Sequence, residues 1–482
     1  MIRFERVPLI KGLKLYTEEK NARFHMPGHR NEDENEGLSY LRENLFHFDV
    51  TEIEGTDNLH YPEEIIKESQ MLLAEVMGAH ESLYCINGST ASNYAMIFGL
   101  LKRNDRILVQ RNCHQSIYNA IALLDLQPAY LIPEVIEEYD LPSTVSLEEL
   151  KRVHSKAPDA RAVILTSPTY HGTVADVEAL SAYCRENGLY LLVDEAHGAH
   201  FSFSEQLPQP SITIGAHASS VSFHKTLPAM TQGSVLNLSD LLSDQERSRI
   251  RHYHRVFQSS SPSYPLLCSM EMARYYMEEH GEQLYEELVR RIDMLKAELL
   301  SIPGVKVLSE KESGLYDRTR LVVNTPLSGV RMDEFLRRAH RIQCEMTEGR
   351  NIIFILTPSD HEEDLMSIAH AVKDARNQNK LLWNECQVSS SSVTQAMNYP
   401  LIRKYRESDV HFMEDEEIGI KDAHHRVSSE KIVPYPPGIP LILPGEVISD
   451  EVIKTYLHLR SQGANILRSG NGNDDTIKVV KE

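Results

Sequence analysis

The 482-residue chain holds one tryptophan and six cysteines, and none of the cysteines lies close in sequence to another. Cys85, Cys113, Cys184, Cys268, Cys344 and Cys386 fit neither the paired spacing of a zinc site nor a disulfide scaffold. No apolar run is long enough to span a bilayer. The opening Met1-Ile2-Arg3-Phe4-Glu5-Arg6 lacks the hydrophobic region of a signal peptide. A cytoplasmic protein with reduced thiols is the expectation, and without a secretory signal the sequon Asn87-Gly88-Ser89 carries no glycan. Positive charge is also in deficit: 50 Lys and Arg stand against 70 Asp and Glu, for a net charge of −20. So acidic a surface repels phosphate backbones and anionic lipid, which excludes general nucleic-acid and membrane-surface partners and mildly favours cationic small molecules. Internal repeats and low-complexity tracts are absent. No Gly-x-Gly-x-x-Gly follows the first strand candidate, which disfavours a nicotinamide dehydrogenase.

What the chain does hold is ordinary globular material, long enough for two or three domains. Residues 1–20 read as a short arm. From about 80 to 240, short β-rich runs alternate with helical stretches, the pattern of an α/β domain with a mainly parallel sheet. The strand candidates are Ser82–Ile86, Arg106–Gln110, Ala129–Ile132, Ala162–Thr166, Tyr190–Val193, Ser219–Phe223 and Ser234–Leu238. Helical periodicity fits Ala91–Leu101, Ser116–Leu124, Asp176–Asn187 and the charged stretch Ser243–Leu300. Ile302-Pro303-Gly304 breaks that stretch, so the large domain is expected over 21–300. A smaller α+β region is expected over 301–482, with elements at Val305–Leu308, Arg320–Asn324, Met332–His340, Ile342–Met346 and Ile352–Leu356. The serine run 389–392 and the acidic run Glu414–Glu417 read as solvated surface. The proline-rich segment Pro434–Pro440 is too stiff for a helix or a central strand.

Four features fall in order at the C-terminal ends of strand candidates, where open parallel sheets bind ligands. Asn87-Gly88-Ser89-Thr90-Ala91-Ser92-Asn93 lies between a strand and a helix. Ser89 and Thr90 there offer hydroxyls and N–H groups to an anion such as a phosphate, although simple N-capping uses the same residues. His114 can stack on a flat ring or handle protons, and equally can be a structural histidine. Asp194, in Asp194-Glu195-Ala196-His197-Gly198-Ala199-His200, is a carboxylate at the mouth of a buried strand and needs a cationic partner. A protonated pyridine nitrogen would serve. A metal held by Asp194, His197 and His200 is the competing reading; it ranks lower because the segment is not HExxH and no further ligand cluster is evident. Lys225, in Ser222-Phe223-His224-Lys225-Thr226, follows an apolar strand, and a desolvated lysine there can form a Schiff base with an aldehyde. Ser222 and His224 could add donors to a phosphate. Together these features describe a cradle for pyridoxal 5′-phosphate, with the turn for the phosphate, Asp194 for the ring nitrogen and Lys225 for the aldehyde.

The sequence resembles the bacterial-type Orn/Lys/Arg decarboxylases over nearly its whole length. The stretches that carry the likeness include Phe24-His25-Met26-Pro27-Gly28-His29, Ser167-Pro168-Thr169-Tyr170-His171-Gly172, the Asp194–His200 run, the Ser222–Thr226 run, Ser259–Tyr264 and the segment from Pro434 to Glu446. The resemblance implies a fold-type I, aspartate-aminotransferase-like large domain and a smaller α+β C-terminal domain. It implies pyridoxal 5′-phosphate as cofactor and no metal. Lys225 resembles the Schiff-base lysine, and Ser89, Thr90, Ser222 and His224 resemble the phosphate ligands. Asp194 matches the residue paired with the pyridine nitrogen, His114 the residue stacked on the ring, and Ala196 the residue packed beneath it. Glu446, in Leu443-Pro444-Gly445-Glu446, resembles an acidic residue that holds the substrate's distal cation. Family members are dimers or larger homo-oligomers with active sites at the dimer interface, and Ser260–Tyr264 would reach the neighbouring subunit's cofactor. The Pro-Gly-His motif starts within the first 30 residues, so the N-terminal regulatory domain of the large inducible members is expected to be absent. Phe223 departs from a small polar residue common in relatives, which would alter the pocket's shape.

The activity implied is α-decarboxylation of arginine, lysine or ornithine to the corresponding polyamine-pathway amine and CO2. The proton returned to Cα would come from Lys225, His197 or His224. The alternatives are another reaction on the same cradle, an aminotransferase or C–S lyase, or a catalytically idle binding or regulatory protein of this fold.

Overall fold

The computed structural model describes residues 6–30, 36–385, 402–434, 440–461, 465–470, 473 and 475–481. The serine run at 389–392 and positions 435–439 of the proline-rich segment lie outside the described residues.

All seven strand candidates of the large domain form, and they form one sheet. In chain order they are β1 (Glu81–Cys85), β2 (Arg106–Gln110), β3 (Gln127–Leu131), β4 (Ala162–Thr166), β5 (Tyr190–Asp194), β6 (Ala218–Val221) and β7 (Ser234–Leu238). Their order across the sheet is β1-β7-β6-β5-β4-β2-β3. The β3-β2-β4-β5-β6 run is parallel throughout, whereas β7 runs antiparallel to both β6 and β1. Continuous apolar runs such as Ala162-Val163-Ile164-Leu165 suit strands covered on both faces. This is the expected fold-type I sheet. Its topology decides where the site lies. The C-terminal ends of β1, β2, β4, β5 and β6 open on one edge, and the reversed strand β7 brings its N-terminal Ser234 to that same edge.

The charged stretch predicted as helical over Ser243–Leu300 is two helices, Asp244–Val256 and Tyr264–Leu300. Ser243 and Glu246 form a capping box at the first. Ser263 caps the second, with Pro265 in its first turn. The 6–20 arm holds a helix, Pro8–Glu18, that buries none of its residues in this chain.

Beyond the long helix, Lys306–Val307, Arg320–Asn324, Asn351–Ile355 and Met346–Glu348 form a four-stranded antiparallel sheet in that order. Helices Gly329–His340 and Glu362–Gln378 accompany it. The single strand expected at Ile342–Met346 is divided. Ile342–Cys344 pairs in parallel with the N-terminal Ala22–Phe24, and Met346–Glu348 joins the antiparallel sheet. Glu345 lies at the break and accepts the Met26 N–H at 3.0 Å. A further unit near the C-terminus packs Ile420, Ile432, Ile442, Tyr456 and Ile477 around its own core. Its acidic run lies in a strand, Asp415–Gly419, paired with Thr476–Val480.

Candidate active site

At the sheet edge lies a cavity of about 200 Å³. Its wall includes Ser89, Thr90, His114, Asp194, Ala196, His197, Ser222, His224 and Lys225. Nine of the ten residues singled out from the sequence therefore converge, although they come from four separate strand ends.

Lys225 sits in a single helical turn, Phe223–Thr226, that leaves β6 through Ser222. Phe223 is fully buried in the hydrophobic core, away from the cavity, so it anchors the turn rather than shaping the pocket. Burial lowers the Lys225 amine to a pKa of about 8, and the nearby Asp194 and Glu345 carboxylates act against that shift. Its Nζ lies 3.0 Å from His197 Nε2 and 5.6 Å from the centre of the Tyr170 ring. Burial also holds His197 well below the ordinary histidine pKa, reinforced by the Lys225 and Arg320 charges, so His197 is neutral.

Asp194 ends β5 and is 2% exposed. Its Oδ2 accepts from Asn93 Nδ2 at 3.0 Å, and its Oδ1 from the Ala196 N–H at 3.3 Å. Among the described residues no cationic side chain is ion-paired to it. A buried carboxylate satisfied only by neutral donors suits a protonated ring nitrogen better than it suits solvent. The small Ala196 leaves room for a flat ring. His114 caps the helix Gln115–Leu123 through its Nδ1, which accepts from the Ser116 N–H. It is thus a structural cap that also lines the cavity. Burial lowers its pKa.

The end of the cavity expected to take a phosphate is built from hydroxyls. Ser89 Oγ is 2.6 Å from Ser222 Oγ and 3.2 Å from Ser234 Oγ, and Ser234 Oγ is 2.8 Å from Ser92 Oγ. The helix Gly88–Leu100 starts at this point, and its N-cap Asn87 makes no side-chain capping bond. Its first-turn residues Gly88, Ser89 and Thr90 line the cavity, and first-turn N–H groups of a helix lack intrahelical acceptors. Gly88 has φ +73°, which permits the turn. His224 Nδ1 donates to the Gly233 carbonyl at 3.0 Å, and burial brings its pKa down to about 4. A neutral His224 presents a lone pair to the cavity, and the charge of a bound phosphate would favour the donating form. The hydroxyls, the first-turn amides, the lone buried carboxylate and the desolvated amine all fit pyridoxal 5′-phosphate.

Of the three residues of the metal reading, Asp194 and His197 line the cavity, whereas His200 turns away from it. His200 Nε2 lies 3.1 Å from Asp317 Oδ1 and 3.1 Å from Thr319 Oγ1. His197 faces Lys225 and Arg320, and Asp194 faces Asn93. Glu446 lies outside the Lys225 cavity, in a small separate space with Tyr118, Tyr130, Arg403 and Glu407. It is buried and accepts the Leu443 N–H at 2.9 Å. Burial pushes its pKa up while the Arg111 guanidinium opposes that shift. Ser259–Ser261 are exposed in this chain and do not line the cavity.

Several residues of the site were not foreseen. Asn93 lies four positions after Ser89, on the same helix face, and that spacing was readable. Tyr170, whose ring centre is 4.4 Å from that of His197, lay in a stretch that carried the family likeness but with no role assigned, and Arg320, whose Nη2 is 3.3 Å from His197 Nδ1, carried no local signal.

Known proteins that share this architecture include decarboxylases of basic amino acids and, at lower structural similarity, aminotransferases. Residues 7–313 match the family described as Orn/Lys/Arg decarboxylase, major domain, and residues 391–467 match Orn/Lys/Arg decarboxylase, C-terminal domain. An uncharacterized Bacillus subtilis protein, YaaO, is 33% identical over 95% of both chains. A Bacillus subtilis protein named arginine decarboxylase is 30% identical over 98% of both. The solved structure of lysine decarboxylase A from Pseudomonas aeruginosa superposes with a TM-score of 0.79 at 18% identity, covering 98% of this chain and 80% of that one.

Proposed function

The chain belongs to the Orn/Lys/Arg decarboxylase family, and on that premise we propose that it removes CO2 from a basic L-amino acid, arginine foremost, using pyridoxal 5′-phosphate attached at Lys225. The activity class is that of the family. The choice of arginine rests on the full-length relatives named arginine decarboxylase. The observation that carries the cofactor reading is the meeting, in one cavity, of the desolvated Lys225 amine and the Asp194 carboxylate that has no cationic partner.

When bound, pyridoxal 5′-phosphate supplies an aldehyde that condenses with amines and a ring that accepts electrons from the carbon losing CO2. Asp194 keeps a proton on the ring nitrogen. Ser89, Thr90, Ser222 and His224 hold the phosphate, and His114 and Ala196 enclose the ring. Lys225 would hold the cofactor's aldehyde, and its Nζ lies 3.0 Å from His197 Nε2. This Lys225–His197 pair is the source of the proton returned to Cα. His224, whose Nδ1–H is committed to the Gly233 carbonyl, is the lesser candidate. Glu446 acts next to Arg111, whose chain neighbours Asn112 and Cys113 line the cavity.

We further propose a homodimer. Phe46, Ile53, Tyr61 and Met71 are each at least 60% exposed. Loop 259–264 packs on the same region, where His60 Nε2 lies 2.8 Å from the Ser259 carbonyl oxygen. A second copy of the chain would cover these apolar residues and bring the exposed serines toward its own site. No described helix is long and apolar enough to cross a membrane, and the cytoplasm is the proposed location.

The test is CO2 release from arginine, lysine and ornithine with pyridoxal 5′-phosphate supplied, together with borohydride trapping and peptide mapping. Release from one of the three, and an adduct on Lys225, is the expected result. Keto-acid formation without CO2 would point to a transaminase instead.

A further inference from the structure

Arg320 is fully buried, and among the described residues no carboxylate lies within ion-pair distance of it. It opens the strand Arg320–Asn324 of the small sheet and reaches across to a loop of the large domain. Its Nη2 is 3.3 Å from His197 Nδ1, while its Nε and Nη1 find no hydrogen-bond partner. A guanidinium stays charged and can only donate. The contact is therefore Nη2–H to Nδ1, with His197 accepting. A neutral imidazole carries one proton, so that proton sits on Nε2, the atom 3.0 Å from Lys225 Nζ. The Lys225 nitrogen must then be the acceptor, and only an unprotonated amine can accept.

We propose that Arg320 is a positioning residue that favours the Nε2–H tautomer of His197, and that His197 in turn favours the neutral form of Lys225, the amine able to attack an aldehyde. The proposal deepens the assignment of Lys225 made above and rests on it. Proton positions balance along the chain: Arg320 keeps its charge, His197 its single proton and Lys225 its lone pair. The Lys225 lone pair becomes available once the Nε2–H contact gives way, with no proton to be removed from the amine first; condensation of that amine with an aldehyde would release one water. Burial agrees with this arrangement, since it disfavours charge on both His197 and Lys225. The other charged groups facing Lys225 divide. Asp194 and Glu345 favour the ammonium, and Arg320 opposes it. His114 and His224, both held low by burial, also sense the Lys225 charge. The directed hydrogen bond is what distinguishes a relay from this through-space balance.

The test has two readouts on the full-length chain freed of cofactor. The first is the ¹⁵N chemical-shift pattern of the His197 imidazole, which reports its tautomer directly. At a pH above the Lys225 pKa of about 8, wild type and Arg320→Lys should show Nε2–H, whereas Arg320→Met should show Nδ1–H or a mixture. An Nδ1–H tautomer in wild type, or an unchanged pattern in Arg320→Met, overturns the proposal. The second is the pH dependence of capture of added pyridoxal 5′-phosphate, followed by visible absorbance. Arg320→Met should slow capture near neutral pH about tenfold, equivalent to about one pKa unit on the amine. It should have no effect in a His197→Phe background. An equal effect in both backgrounds would mean charge alone is at work and would overturn the relay. The wild-type spectrum needs no variant to fold. If wild type captures no cofactor at any pH, it is the assignment of Lys225 that fails, and the tautomer spectrum still decides the role of Arg320.

Discussion

The Gly28 N–H donates to the carbonyl oxygen of His224 at 2.8 Å, so the N-terminal Pro-Gly-His motif is clamped on the backbone turn that carries Lys225. A Cβ at position 28 would lie 2.8 Å from the Leu227 carbonyl oxygen and 2.9 Å from the Thr226 carbonyl carbon. Both are backbone atoms with little freedom to move. Gly28→Ala should cost about 1–3 kcal/mol of stability and displace the lysine turn. Lower melting temperature together with weaker cofactor retention is the expected pair, and a variant unchanged in both would show that the clamp is slack.

Lys225 should capture pyridoxal 5′-phosphate at a rate that follows its neutral fraction. With a pKa of about 8, about a tenth of the amine is neutral at pH 7, against about one part in 3,000 for an ordinary lysine. Below about pH 8 the rate should rise about tenfold per pH unit, and above it the rate should level off. Stopped-flow absorbance across that range checks this. Lys225→Ala should yield no borohydride-trapped adduct.

Asp194→Asn separates stability from catalysis. Without the cofactor, a neutral isostere at a buried carboxylate lacking a cationic partner should be neutral or stabilising. With cofactor and substrate, loss of the negative charge should lower CO2 release by about 10²–10³. Thermal melts with and without pyridoxal 5′-phosphate, set beside turnover, test both halves. A variant that melts well below wild type without cofactor would contradict the first.

Glu195, next in the chain, is buried. Its oxygens accept from the N–H and the hydroxyl of Ser211 at 2.8 Å each. Burial nevertheless raises its pKa to about 7 from an ordinary 4.5. Between those values the folded protein keeps a proton that the unfolded chain has released, so stability falls as pH rises through this window and is level above it. The loss amounts to about 3 kcal/mol. Glu195→Gln does not titrate, so its stability relative to wild type should climb by about that amount from pH 4.5 to 7. Urea unfolding at a series of pH values measures this, and a pH-independent difference would exclude the shift.

Much of the site was legible because its parts announce themselves locally. An apolar strand followed by Asp194, or by Ser222-Phe223-His224-Lys225, is readable from consecutive residues, and parallel strands necessarily bring such endings to one edge. The division at Ile342–Met346 was not readable. Its residues are uniformly strand-like, and only pairing with Ala22–Phe24 on one side and Asn351–Ile355 on the other separates them. The surroundings of Glu446 were not readable either, since the packing of the C-terminal unit sets it near Arg111, in a space separate from the Lys225 cavity.

The order of residues alone was enough to determine the seven-stranded sheet, the lysine turn and the groups gathered round it, because side-chain periodicity and strand ends are properties of neighbours in the chain. Only the tertiary structure decided that Arg320 faces His197 and that Tyr170 lies over Lys225. Those contacts join a small antiparallel sheet to loops of a parallel one, and their partners depend on how two hydrophobic surfaces pack rather than on any spacing along the backbone.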